Sequence, residues 1–182
     1  MSVTAEPITG TFVADRAHST FRFTVKHMKV SSFSATFDDV TARVVAGPDG
    51  IQLEGSVKIE SISIRTPKEF RDHVVHSDDF FDANNHPEMT FRSSDVALNP
   101  DGTATVRGEL TIKGITKSFV ATGTYEPPVE DPWGTTRAAV ELTASVDRRD
   151  WGLDWQMPMP KGGNVVSWDV TITTHVEFLK EG

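Results

Sequence analysis

The run Val165-Val166-Ser167-Trp168-Asp169-Val170-Thr171-Ile172-Thr173-Thr174-His175-Val176-Glu177-Phe178 decides the fold. Its even positions carry Val, Trp, Val, Ile, Thr, Val and Phe, and its odd positions are mostly polar. A two-residue period held over this length puts the apolar side chains on one face of an extended strand, and a helix does not produce it. The pattern recurs. Thr103 to Ile112 places Ala104, Val106, Gly108, Leu110 and Ile112 on one side, and Thr135 to Val146 does the same with Ala138, Val140, Leu142, Ala144 and Val146. A sheet of such strands must cover its dry face, and closing on itself achieves this while removing its edges. The dry face then lines an interior.

Working outward, the chain reads as eight strands. Gly10 to His27 is the first, with Phe21, Phe23 and Val25 on one face. Phe33 to Val45 and Ile51 to Ile59 follow as a hairpin through Gly47-Pro48-Asp49-Gly50, where proline fixes φ and glycine accepts positive φ. Further strands are expected at Glu88 to Leu98, Thr103 to Ile112, Lys117 to Tyr125, Thr135 to Val146 and Val165 to Phe178. Asn99-Pro100-Asp101-Gly102 and Lys113-Gly114-Ile115-Thr116 supply hairpin turns. One short helix is predicted near residues 66–76, with Thr66 as N-cap, Pro67 at the first helical position and Glu69 completing a capping box. Glu126 to Gly134 holds three prolines and reads as a loop rather than a central strand. Asp154 to Asn164, with a Trp and two Met among prolines and glycines, reads as a mouth or lid segment.

Composition narrows the function classes. A chain of 182 residues suits one all-β domain spanning 1–182. A formal charge of −8 disfavours a nucleic-acid partner or an anionic membrane surface. The absence of cysteine excludes disulfides and thiolate chemistry. No apolar run is long enough to span a bilayer as a helix, and the opening Met1 to Pro7 lacks the pattern of a secretory leader, so a cytoplasmic protein is expected.

Chemistry-bearing residues have competing readings. His73 and His76 lie three apart on the predicted helix, where a nearby carboxylate could complete a three-ligand metal site; the plainer reading is a solvated helix face, and no metal or cofactor is assigned. His27 shares the parity of Phe21, Phe23 and Val25, and is either a polar contact to a ligand head group or a buried histidine bonded to the backbone. There is no Gly-x-Ser-x-Gly turn, and the adjacent acids Asp38-Asp39 and Asp78-Asp79 point apart or into water, so no catalytic residue is named. Gly108 and Gly123, inside strands, mark bends or close approaches.

Several stretches together resemble the YceI-like family of bacterial lipocalin-like barrels. They are Asp15-Arg16-Ala17-His18-Ser19 with Phe21 and Val25-Lys26-His27-Met28, then Arg71-Asp72 with Ser77-Asp78-Asp79-Phe80-Phe81-Asp82, Pro87 and Phe91, then Gly108 to Lys117, and Arg149-Asp150-Trp151-Gly152-Leu153. The resemblance implies an all-β, eight-stranded antiparallel barrel that holds a polyisoprenoid or similar long-chain lipid, and a homodimer. The chain departs from the family's pattern at Val74-Val75, Ala35 and Trp168, and the Trp168 indole is expected to narrow or floor the cavity. An eight-stranded barrel either holds one slender ligand or is plugged by its own side chains. The expected wall comprises Phe21, Phe23, Val25, Phe80, Phe81, Leu110, Val140, Leu142, Val166, Trp168, Val170 and Ile172, with His27 at the mouth. A lipid carrier or sequestering protein is the leading expectation. A metal-dependent enzyme built on His73 and His76, and a filled structural or stress-related barrel, are the alternatives.

Overall fold

The computed structural model describes residues 7–182. The opening Met1 to Glu6, read above for a leader, lies outside the described residues. Ten β-segments form one antiparallel sheet: β1 (Gly10–Ala14), β2 (Thr20–His27), β3 (Ser31–Phe37), β4 (Val40–Gly47), β5 (Gly50–Lys58), β6 (Glu88–Leu98), β7 (Thr103–Ile112), β8 (Ile115–Glu130), β9 (Thr136–Asp147) and β10 (Asp169–Lys180). β1 and β2 are one strand interrupted by a 3₁₀ turn at Arg16–His18, and β3 and β4 are one strand broken at Asp38-Asp39. β1 pairs with β4 and β2 with β3, while β10 pairs with β1 at its end and with β2 nearer its start. Counted this way the sheet is a closed, eight-stranded, up-and-down barrel, as the alternation predicts.

The period-two faces point where the sequence places them. Ala104, Val106, Leu110 and Ile112 of β7, Ala138, Leu142 and Ala144 of β9, and Val170, Ile172, Val176 and Phe178 of β10 are all buried. Closure brings strands very near one another at two glycines. A Cβ on Gly123 would stand 1.8 Å from the Glu141 carbonyl oxygen, and one on Gly108 would stand 2.2 Å from that of Arg92. Only a residue without a side chain fits at either point.

Three boundaries differ from the sequence reading. Pro127 and Pro128 remain inside β8, because they fall at a register shift between Glu126 and Val129 where the ladder asks for no donor from them. The last strand begins at Asp169 rather than Val165; only Val166 makes an isolated bridge, to His27. The helix α1 spans Lys68–His76, but Pro67 takes the N-cap place in extended conformation and no side chain caps it, so the Thr66 capping box does not form.

One end of the barrel, where β9, β10 and β1 meet, is fastened by charge. Arg137 of β9 donates from Nε to Asp131 at 2.7 Å, and from Nη1 to Glu177 of β10 at 2.6 Å and to Asp15 at 3.2 Å, in the break between β1 and β2. His18 Nδ1 lies 2.9 Å from the same Asp15 carboxylate. The hydrogen bond from His18 holds the Asp15 carboxyl below the usual carboxylate range, that from Arg137 does the same for Asp131, and Asp15 raises His18. A lowered carboxylate stabilises the fold above its ordinary pKa, about 3.9, and loses that contribution as pH falls through the lowered value. A raised histidine stabilises below about 6.5 and loses its contribution as pH rises through the raised value. Thermal melts across pH should therefore show a plateau between these limits, falling on both sides. Arg137→Met should blunt the acid-side fall, and an acid limb identical to that of the wild type would contradict the network's role.

Candidate functional site

The other end of the barrel is hollow. A cavity of about 510 Å³ opens there, and its wall is almost wholly apolar. The segment after β5 builds the opening: Ser63 N–H donates to the Thr36 carbonyl at 2.7 Å and its hydroxyl accepts from Thr36 N–H at 2.9 Å, so the chain runs beside β3 before turning into α1. Arg71 anchors α1 by donating to the Glu60 carbonyl and carboxylate, both at 2.9 Å. The helix thereby presents Phe70, His73 and Val74, which share one face at i, i+3 and i+4, to the cavity.

Aromatic rings dominate the wall. Phe81 meets Phe37 edge-on at 5.6 Å and Phe23 at 6.5 Å, and Phe37 lies 6.0 Å from Phe21. Nearer the mouth, His73, Phe80 and Trp155 form a triangle with centroid separations of 5.2, 5.5 and 5.6 Å. Trp151 is 2% exposed and donates its indole N–H to the Leu110 carbonyl at 2.9 Å, so the late turn that carries it plants a ring in the wall.

Nine of the thirteen residues read from the sequence are brought together here: Phe21, Phe23, Val25, His27, Phe80, Phe81, Val166, Val170 and Ile172. Leu110, Val140 and Leu142 face instead a smaller void of about 100 Å³ farther down the barrel axis, and a third of about 20 Å³ lies below that, beside Tyr125. Phe21 and Met89 line both the chamber and the middle void. Tyr125 keeps its hydroxyl buried without a partner among the described residues, and burial pushes its phenol up.

Trp168 is a correction. It precedes the paired part of β10, so strand parity does not govern it, and it lies outside the chamber with its ring 4.4 Å from the Arg148 guanidinium and 4.7 Å from that of Arg149. His73 and His76 do not converge either: His73 Nε2 pairs with Asp79 at 3.0 Å and His76 Nε2 with Glu60 at 3.2 Å. The metal-ligating types that approach one another among the described residues are Asp15, His18 and Glu177, at the opposite end, and Arg137 already occupies that cluster.

Arg148 was not legible in the sequence. Only 5% exposed, it donates to the carbonyls of Ser167 at 2.9 Å, Leu153 at 2.5 Å and Val166 at 3.4 Å, and so ties down both ends of the mouth loop. Burial works against its charge, and Asp147 and Asp154 work for it; an arginine in this setting stays protonated. Phe33, Phe37, Met89, Ile112 and Val146 also line the chamber, and their parity on already recognised strands would have found them. Phe70, Trp151 and Trp155 carry no such periodic signal.

With this geometry in hand, comparison with known proteins settles the family. The YceI-like domain matches residues 12–178. The chain belongs to the YceI-like family. Among its relatives, a UPF0312 protein of Staphylococcus aureus is 30% identical over 169 residues, covering 92% of this chain and 96% of the relative. One from Pseudomonas fluorescens is 34% identical over 143 residues, covering 74% and 71%. Among solved structures, BcnA of Burkholderia cenocepacia superposes with a TM-score of 0.73 at 23% identity, covering 90% of this chain and 98% of that one. A polyisoprenoid binding domain from Saccharophagus degradans superposes at 0.69 with 13% identity, covering 96% and 100%. The expected all-β barrel is therefore the fold.

The Val166 carbonyl also accepts from Gln156 Nε2 at 2.7 Å, so loss of the guanidinium strands the Ser167 and Leu153 carbonyls, at a cost of roughly 1–3 kcal/mol each where water does not replace it. Arg148→Met should accordingly lower the denaturant-derived stability by at least about 2 kcal/mol, and a variant as stable as the wild type would show that the mouth loop holds itself.

Proposed function

We propose that this protein binds a polyisoprenoid or comparable long-chain lipid in the 510 Å³ chamber, with Phe21, Phe23, Val25, His27, Phe80, Phe81, Val166, Val170 and Ile172 among the residues that enclose it. The hollow, apolar chamber itself is the observation that carries this reading. Its volume falls within the range of roughly 300–1,000 Å³ usual for small-ligand sites. A filled barrel would leave no such space. The family and the similarity of the fold to a domain described as polyisoprenoid binding support the same reading.

The chemistry needed is burial alone. A hydrocarbon chain gains roughly 25 cal/mol for each Å² withdrawn from water, so contact with rings and branched side chains suffices for tight retention. Phe21 and Met89 separate the chamber from the void beneath, and a flexible methionine is suited to yield to the end of a tail. His27, Ser31, Ser32 and His73 supply the polar groups toward the mouth, where a head group would meet water. The enclosure of the ligand on an apolar wall supports a role in carrying or sequestering the lipid.

Organic extraction of freshly purified protein, followed by mass spectrometry, tests the proposal. A long-chain lipid near one per protein is expected. Val146→Phe, which fills part of the chamber from β9 without adding a polar atom, should lower the recovered lipid by about tenfold while the melting temperature changes little. Equal lipid content in the two proteins, or none in the wild type from several hosts, would overturn it.

A further inference from the structure

The mouth of the chamber is rimmed by apolar side chains that no described part of the chain covers. Met28 and Val30, in the turn between β2 and β3, are 45% and 84% exposed, and Met157 in the mouth loop is 56% exposed. Phe70, at 38%, joins them from α1, with its ring 5.7 Å from Phe33 in the chamber wall. These residues come from separate segments but from one place. Met28 N–H donates to the Val165 carbonyl at 2.7 Å, Val165 N–H donates to the Met157 carbonyl at 3.0 Å, and the Lys29 side chain lies against Gly163.

Two further observations set this rim apart. The turn is built against local preference: Met28 and Lys29 have φ of 51° and 62°, a left-handed conformation in which Gly or Asn is favoured and methionine is uncommon. An exposed methionine there contributes nothing evident to the fold. Two cations stand beside these apolar groups, since Lys29 and Lys161 pair with no carboxylate among the described residues. The carboxylates that flank Phe70 are Glu69 and Asp72, and Asp72 is engaged by Lys68.

We propose that this rim seats the mouth of the barrel on the surface of a lipid bilayer, so that a lipid tail passes between membrane and chamber without crossing water. The inference rests on the reading of the chamber as a lipid site. Each methylene exposed on the way raises the barrier to transfer, so a water-free path is the efficient one. An apolar fringe with a few cations is the usual chemistry of a surface-bound, non-spanning protein. No helix among the described residues is long and apolar enough to cross a membrane. Exposed apolar side chains also occur at the opposite end, at Val129 and Trp133, but the void there is only about 20 Å³, so that end supplies a control.

The test uses the full chain with vesicles of phosphatidylcholine containing a minor share of phosphatidylglycerol. Wild type should float with these vesicles and take up from them a fluorescent polyisoprenoid analogue. The triple variant Met28→Asn, Val30→Ser, Met157→Ser alters only residues outside the chamber, and its new asparagine suits the left-handed turn. It should lose flotation and take up the probe from vesicles about tenfold more slowly, because membrane affinity scales with the apolar area buried. Its equilibrium binding of the same probe delivered from cyclodextrin should match the wild type, and Trp133→Ser should match it in every assay. Uptake from vesicles at the wild-type rate by the triple variant, or no flotation of the wild type, would overturn the docking proposal. Failure of every protein to bind the probe from cyclodextrin would instead overturn the chamber reading, and the docking proposal with it.

Discussion

The structure depends on one constraint: a sheet with a single dry face and no second layer must close on itself. Closure needs the strands to bend sharply, and Gly108 and Gly123 permit it, since any side chain at either position would collide with a neighbouring backbone. What closure encloses is uneven along the axis. Toward the charged end, Phe12, Val44, Val176 and Phe178 interlock with Ala138, while Ala104, Val106, Ala121, Leu142 and Ala144 pack beyond them, leaving only small voids. Toward the other end, Phe21, Phe23, Phe33, Phe37 and Phe81 stand around a space they do not fill.

The same division explains how the polar groups are used. Arg137, Asp131, Asp15, Glu177 and His18 form a partly exposed network that fastens the narrow end. Exposed pairs of this kind are individually weak, and their value here lies in linking β9, β10 and the break between β1 and β2. Arg148 acts differently at the wide end. Its guanidinium is buried, bonded to carbonyls and covered by Trp168, and it orders a long irregular segment beside the opening.

Much of this was legible in the sequence because period-two alternation is a local signal. The eight strands and seven of the nine wall residues follow from it directly, while Phe80 and Phe81, in the loop after α1, were read from the family resemblance. The misses have separate local causes, the first being that parity applies only while a strand is paired. Trp168 shares the parity of Val170 but stands one residue before pairing begins, so its ring goes to two arginines instead of the chamber. Pro127 and Pro128 looked incompatible with a strand, yet a register shift removes the demand for their missing donors. Arg148 follows β9 and reads as an ordinary surface charge; its partners are backbone carbonyls at 153, 166 and 167, which no pattern of side chains announces.

If the wide end of the barrel is a dry chamber occupied by a lipid tail, the tail itself should be visible. The most direct test is a high-resolution crystal structure of protein purified without detergent or organic solvent. Continuous, elongated density is expected, running from the mouth between Phe23, Phe81 and Val170 toward Phe21 and Met89. A chamber filled by side chains of the chain itself, or by ordered water hydrogen-bonded throughout, would contradict the lipid reading.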